Sequence, residues 1–139
     1  MKCSVIIPYY NKEKCLFQLL RSLNKQICNE FEAIVVNDGS DDIRGSIDSE
    51  AYAYPLKYLY CERIPKSGIA YARNNGIKAA RGDILIFLHY TYIFEFRNRL
   101  IDLWKEINNY EKARQKNFIV ITRTVNAVYP AANYHNFRG

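Results

Sequence analysis

Two polar segments of the sequence contain side chains whose types could bind a ligand. In "NDGSDD", Asp38 and Gly39 follow an apolar run, and in "SGIAYARNNG" Arg73 lies in the first turns of a predicted helix. An aspartate at the end of a strand can accept hydrogen bonds from a ribose or a nucleobase imide, and Gly39 lets a ligand come close to the backbone. An arginine near a helix N-terminus suits a diphosphate. Taken alone, the segments have plainer interpretations, an acidic turn that caps the next helix and a solvated arginine.

A third segment, "PYYN", supplies two aromatic rings, Tyr9 and Tyr10, that could stack on a base. The chain has 12 tyrosines, so packing in the core is the alternative interpretation of this pair. In parallel sheets, ligands bind at the carboxyl ends of the strands. The candidate site therefore lies where four predicted strands end, at residues 8–11, 37–42, 62–73 and 89–95.

The elements that position these segments alternate between strands and helices. Apolar runs predict five strands, at residues 3–7, 31–37, 56–61, 83–88 and 117–128. Asn11 is the predicted cap of a first helix that has apolar residues at i, i+3, i+4 and i+7. Its expected inward residues are Leu16, Leu19, Leu20, Leu23 and Ile27.

Further helices are predicted between the later strands. A weak one covers residues 43–51, and another runs over 67–80 with Ala70, Ile77 and Ala80 inward. The most amphipathic segment follows the fourth strand, and its apolar face consists of Phe96, Leu100, Leu103, Trp104, Ile107 and Tyr110. Near-continuous apolar strands that alternate with helices predict an α/β fold, a three-layer α/β/α sandwich with a mostly parallel sheet.

Length and composition favour one globular domain over residues 1–139. No apolar run reaches the roughly 18–20 residues that span a bilayer, and the N-terminus has too short an apolar run for a signal peptide. We therefore expect a cytoplasmic protein. The four cysteines lack CxxC spacing and the chain has two histidines, so we expect reduced thiols and no zinc site.

The positive charge of the chain is concentrated in its last third. The formal net charge is +6, and residues 97–139 contain eight Lys/Arg and three Asp/Glu. Such a segment could face an acidic partner, a phospholipid surface or nucleic acid. We favour a solvated helix face, expect no nucleic-acid partner, and keep contact with a membrane surface as the weaker alternative.

The three segments and the fourth strand together are more specific than any one of them. "VIIPYYN", "VVNDGSDD", "GIAYARNNGIKAARGD" and "ILIFL" have the order and spacing typical of family 2 glycosyltransferases. Over about residues 2–124 the chain resembles the nucleotide-sugar half of their GT-A domain. The resemblance implies that the ligand is a nucleotide-diphosphate sugar, most often a uridine-linked one.

The resemblance also assigns roles to individual residues. It implies a donor-nucleotide site that contains Pro8, Tyr9, Tyr10, Asp38, Gly39 and Arg73. The loop that carries the two tyrosines would wall the nucleobase, Asp38 would hydrogen-bond the base or ribose, and Arg73 would lie near the base and the diphosphate. Gly68 and Gly76 would keep the helix that carries Arg73 close to the ligand and to the sheet.

The sequence departs from the family after the fourth strand. There the family has an Asp-x-Asp cluster, which binds the Mg²⁺ or Mn²⁺ that bridges the donor phosphates. Here His89, Tyr90 and Thr91 occupy the aligned positions, and no carboxylate lies between Ile84 and Phe94. One imidazole is a poor site for a hard cation. We therefore expect no tight metal binding at residues 89–91, although the family implies a divalent cation.

A second departure concerns the catalytic base. Family members continue past the fifth strand into an acceptor-binding half that carries an Asp or Glu base, whereas no acidic residue follows Val128 here. We therefore expect a truncated GT-A-like domain with no assigned catalytic residue. Two functions stay open: a glycosyltransferase, metal-independent or completed by a partner chain, and a non-catalytic pseudo-glycosyltransferase that binds a nucleotide or a protein. An uncovered apolar face at residues 117–128 predicts a homo-oligomer or a partner chain.

Overall fold

The computed structural model describes residues 3–27, 29–65 and 68–88, together with the backbone of residues 117–121 and 126–130. The elements in this part are β1 (Cys3–Tyr9), α1 (Glu13–Asn24), β2 (Phe31–Asp38), α2 (Arg44–Asp48), β3 (Leu56–Cys61), α3 (Ala70–Ala79), β4 (Ile84–Phe87), β5 (Asn117–Ile121) and β6 (Asn126–Pro130). The first four predicted strands are confirmed to within two residues at each end. The helix predicted over residues 96–110 lies outside the described residues.

The sheet has the strand order β3-β2-β1-β4-β5-β6. The first five strands in this order are parallel, and β6 runs antiparallel to β5. Tyr9 pairs with Asn37, and Asn37 pairs with Tyr60, so β1, β2 and β3 all end at one edge. This mostly parallel sheet confirms the predicted fold class and brings the polar segments together.

Helices cover both faces of the sheet because successive side chains of a strand point to opposite faces. On one face, Val5 and Ile7 of β1 pack with the apolar side of α1. On the other face, Ile6 packs with Ile77 of α3. The strands are therefore apolar at nearly every position, and the three-layer architecture is confirmed.

Two predictions about the first helix are wrong. The N-cap is Lys12 without a side-chain cap, and Asn11 lies in the left-handed region with φ 54°. Asn11 turns the chain out of β1, which is a conformation that asparagine tolerates better than most residues. The helix ends at Asn24, so Ile27 lies beyond it and is 63% exposed instead of inward.

Two later elements also differ from their prediction. In α3 the buried residues include Ala72 and Ile77, whereas Ala70 is exposed because it begins the helix. The run over residues 117–128 forms two antiparallel strands, β5 and β6, instead of one. The sequence of this run is rich in β-branched residues on both sides of the break and contains no Gly or Pro. It therefore gives no sign of a turn.

The described part also bears on the predicted thiols. Cys3, Cys15 and Cys61 are free, as expected, but only Cys3 is buried. Within the described ranges, no helix is long and apolar enough to cross a membrane.

Candidate functional site

A cavity of about 170 Å³ opens at the carboxyl edge of the sheet, where β1, β2 and β4 end. Its lining residues are Pro8, Tyr9, Tyr10, Asp38, Arg63, Ile69, Arg73 and Leu88. Five of the six residues predicted to bind the donor nucleotide line it, and the exception is Gly39. The volume is below the roughly 300–1,000 Å³ of sites for complete ligands, so these residues enclose space for only part of a ligand of that size.

Asp38, the last residue of β2, carries the carboxylate of this cavity. Its side chain is buried, and Oδ1 has no hydrogen-bond partner among the residues that the structure describes. Burial raises the pKa of the Asp38 carboxyl, and the positive charge of Arg63 offsets part of that rise. A buried acceptor without a partner is rare in folded proteins, and at a cavity wall it is suited to a ligand's N–H or O–H donor.

The buried side-chain amide of Asn37 holds the turn after Asp38 through hydrogen bonds. The Asn37 Oδ1 accepts hydrogen bonds from the Ser40 backbone N–H (2.9 Å) and hydroxyl (2.8 Å). The Asn37 Nδ2 donates to the Asp41 carbonyl oxygen and to the Tyr58 hydroxyl, at 2.9 Å each. Asn37 therefore fixes the backbone that positions Asp38.

Asp42 has the structural role that the sequence left open for this acidic turn. Its Oδ1 accepts hydrogen bonds from the Arg44 backbone N–H (3.0 Å), at the start of α2, and from the Tyr58 hydroxyl (2.9 Å). The two interpretations of "NDGSDD" thus apply to different residues. Asp42 accepts the first backbone N–H of α2, whose N-cap residue is Ile43, whereas Asp38 lines the cavity.

Gly39 is needed for a protein contact. It has φ +83°, and a Cβ added there would lie 2.7 Å from both Cβ and N of Arg63. The backbone after β3 therefore packs directly on Gly39, which other residues would not allow. The role of Gly39 in binding a ligand stays a prediction.

Arg63 is the cavity residue that the sequence analysis did not single out. Its guanidinium lies over the Tyr10 ring, 4.0 Å from the ring centroid. The segment at 62–73 was predicted to contribute to the site because it follows a strand, but nothing in its residue types distinguished Arg63 from other exposed arginines. Only the pairing of β3 with β2 brings it beside Asp38.

Arg73 reaches the cavity from α3. Its backbone N–H donates to the Ile69 carbonyl oxygen (3.0 Å) in the first helical turn, and its guanidinium lies 5.9 Å from the centroid of the Phe87 ring. At Gly76 an added Cβ would lie 2.6 Å from Ile6, so this glycine lets α3 approach the sheet as expected. At Gly68 nothing described lies within 4 Å of such a Cβ.

Comparison with known proteins identifies the family of this chain. The model of "Glycosyl transferase family 2" matches residues 4–113. The chain belongs to this glycosyltransferase family. The match runs from the second residue of β1 past β4 and therefore contains every described residue that lines the cavity.

Curated relatives in the family are longer proteins. The uncharacterized glycosyltransferase YfnE of Bacillus subtilis is 45% identical over 89 residues, which is 63% of this chain and 22% of YfnE. The uncharacterized glycosyltransferase EpsJ of the same organism is 39% identical over 85 residues, 61% of this chain and 24% of EpsJ. The chain thus spans about a quarter of the length of these relatives.

Solved structures with the same fold include S. aureus TarS. A crystal structure of TarS 1–349 has 34% sequence identity and a TM-score of 0.68, and the similarity covers 78% of this chain and 33% of that one. A TarS 1–349 structure in complex with UDP-GlcNAc has 35% identity and a TM-score of 0.68, with 78% and 32% covered. These similarities confirm the GT-A-like fold class.

The family's divalent cation does not fit the residues at hand. Residues 89–91 lie outside the described part, and their side chains include no carboxylate. Within the described ranges, no group of three or more His, Cys, Asp or Glu side chains is placed to hold a metal ion. Hard cations such as Mg²⁺ and Mn²⁺ are bound through oxygen ligands, chiefly carboxylates, so this donor set is unsuited to them.

Proposed function

We propose that this chain binds the nucleoside diphosphate of a nucleotide sugar, with uridine as the nucleoside, for glycosyl transfer. The observation that carries the proposal is the buried Asp38 Oδ1, an acceptor that lacks a described partner and lies in a cavity at the carboxyl edge of the sheet. Related TarS structures are complexes with UDP and with UDP-GlcNAc. They support the choice of a uridine nucleotide.

The cavity side chains suggest how such a ligand is held. Pro8 and Tyr10 provide apolar surface against which a base can pack, and aromatic stacking of a base contributes about 1–3 kcal/mol. Asp38 accepts a hydrogen bond from the imide N–H of uracil or from a ribose hydroxyl. Arg73 offers a planar set of donors to the phosphates. In this proposal Tyr9 and Gly39 shape the site without needing to contact the ligand.

Titration calorimetry with UDP, GDP and ADP tests this function. We expect micromolar-to-millimolar binding of UDP, and we expect Asp38→Ala to weaken it about tenfold or more, because a hydrogen bond to a charged group contributes roughly 1.5–3 kcal/mol. Asp48→Ala is the matched control, since Asp48 is exposed and does not line the cavity. Absence of binding to any nucleoside diphosphate, or equal affinities of the two variants, would contradict the proposal.

A second candidate function is a non-catalytic nucleotide- or protein-binding module. The observation that favours it is the sequence His89-Tyr90-Thr91 at the positions where the family has its metal-binding carboxylates. An assay for UDP release from UDP-linked sugars, with and without Mn²⁺, separates the candidates. UDP release above the uncatalysed rate supports the transferase, whereas UDP binding without release supports the module.

Association with a second copy or with a partner chain is a separate proposal. It derives from the apolar sequence of residues 117–128, of which only the strand backbones are described. Light scattering tests it at micromolar concentration. A mass near 16.3 kDa would contradict self-association.

A further inference from the structure

The cavity contains a cation that the family resemblance did not assign. We infer that Arg63 binds the phosphates of the nucleotide together with Arg73, so that these two arginines, and no divalent metal, neutralise the diphosphate in this chain. The inference rests on the proposed nucleotide function and specifies how its charged end is held.

The charge balance of the cavity is the first argument. Its described lining has two cations, Arg63 and Arg73, and one carboxylate, Asp38. The described lining is therefore net positive even with the Asp38 carboxylate ionised, and a positive cavity favours an anionic ligand such as a nucleoside diphosphate.

The placement of Arg63 is the second argument. Its backbone is fixed, because it packs on Gly39 with no room for a Cβ between them. Its side chain is exposed, and its guanidinium rests on the Tyr10 ring. A cation–π contact at an exposed site is worth only about 0.5–1 kcal/mol, so a phosphate can replace it at little cost. The backbone of Arg63 thus packs on Gly39, while its exposed guanidinium lies beside the Tyr10 ring, against which a base would stack.

The chemistry of the guanidinium is the third argument. Its planar donors match phosphate oxygens two at a time, and such charge-assisted bonds are about twice as strong as neutral ones. Where a family uses a metal ion, carboxylates must hold that ion. Here the aligned residues are His89, Tyr90 and Thr91, so the charge on the phosphates has to be balanced by other groups.

Calorimetry with UDP and with uridine, both in EDTA, tests the inference. We expect the wild-type chain to bind UDP in EDTA, and Arg63→Gln to lower its UDP affinity roughly tenfold to a hundredfold while changing its uridine affinity less than about twofold. Arg63→Lys keeps the charge and should recover part of the loss. Arg21→Gln is the control, because Arg21 is also an exposed arginine beside a ring, that of Phe17, and lies outside the cavity.

The outcomes separate this inference from the proposed function. If the wild-type chain binds neither UDP nor uridine, the nucleotide function itself is wrong. If UDP binds but Arg63→Gln matches Arg21→Gln, or loses UDP and uridine affinity equally, Arg63 does not bind the phosphates. If EDTA abolishes UDP binding by the wild-type chain and Mn²⁺ restores it, a metal does neutralise the diphosphate and the inference is overturned.

Discussion

The two ends of β2 each bury a carboxylate and differ in what satisfies it. Glu32, near the start of the strand, is 0% exposed and accepts hydrogen bonds from the Ser4 hydroxyl (2.7 Å) and from the Arg81 backbone N–H (2.7 Å) and guanidinium (3.2 Å). Asp38, at its end, is 2% exposed, and its Oδ1 has no partner in the part of the chain that the structure describes. The two carboxylates are thus about equally buried, but Glu32 has hydrogen-bond donors around it, whereas the Asp38 Oδ1 has none among the described residues.

The pKa values of the two carboxyls move in opposite directions. Burial alone would raise the pKa of Glu32, but hydrogen bonds from Arg81 and Ser4 and the charge of Lys57 outweigh it and lower that pKa. Burial also raises the pKa of Asp38, and there only the charge of Arg63 opposes it. At the amino edge of the sheet the buried carboxylate therefore stabilises the fold. At the carboxyl edge the buried carboxylate keeps an acceptor oxygen that a ligand can use.

The largest expected effect is at the amino edge. Glu32→Ala should lower the free energy of unfolding by about 3 kcal/mol, because it leaves the Ser4 hydroxyl and the Arg81 backbone N–H without their buried acceptor. Urea denaturation measures this change. Glu50→Ala is the matched control, since its ion pair with Arg21 lies at the surface and should contribute at most about 1 kcal/mol. Similar losses for the two variants would mean that the buried Glu32 carboxylate contributes no more than a surface ion pair.

A smaller effect is expected at Tyr58, which supports the turn that carries Asp38. Tyr58→Phe removes a hydroxyl that donates to Asp42 and accepts from Asn37, and it should cost roughly 1–2 kcal/mol of stability. It should also weaken UDP binding several-fold, because the turn that carries Asp38 loses support. Tyr54→Phe is the control, because it removes a single buried hydrogen bond, to the Leu20 carbonyl oxygen, away from the cavity. If both variants lose the same stability and neither loses UDP affinity, the Tyr58 network does not position the site.

The sequence predicted the carboxyl edge better than the amino edge. Strand ends are visible as breaks in apolar runs, and parallel strands gather their ends at one edge, so the cavity lined by Tyr10, Asp38 and Arg73 could be anticipated. The roles of these residues in binding are still predictions. Glu32 was not anticipated, because a charged residue inside an apolar run gives no sign of the partner, Arg81, that lies 49 positions away.

Other misses have a similar physical origin. Arg63 joins the cavity through the packing of its backbone on Gly39, a contact between distant segments that composition and periodicity do not encode. Asn11 was predicted as a cap because its residue type suits caps, but its type suits the left-handed conformation equally well. Local patterns therefore located the elements, whereas the contacts that distinguish one edge from the other required the tertiary structure.

A substitution of Asp38 that leaves stability nearly unchanged would strengthen the contrast between the Asp38 and Glu32 carboxylates. Asp38→Asn should leave the free energy of unfolding at neutral pH within about 0.5 kcal/mol of the wild type or raise it by up to about 1 kcal/mol, because it removes a buried charge that lacks a full set of partners. Glu32→Gln should instead be destabilising. Chemical denaturation of both variants at neutral pH makes the comparison. A loss above about 2 kcal/mol for Asp38→Asn would show that the carboxylate is structural.

The smallest expected effect is a difference in how stability depends on pH. The pKa of Glu32 is below its ordinary 4.5, so its contribution is complete above that pH and is lost as the pH falls through the folded-state pKa. The pKa of Asp38 is above its ordinary 3.8, so stability declines as the pH rises from there through the folded-state pKa. Asp38→Asn should therefore gain stability relative to the wild type as the pH rises above 3.8, and Glu32→Gln should lose less than the wild type on acidification. Unfolding curves from about pH 3 to about pH 7 measure both differences. A constant difference between Asp38→Asn and the wild type across this range would mean that the folded state does not perturb Asp38.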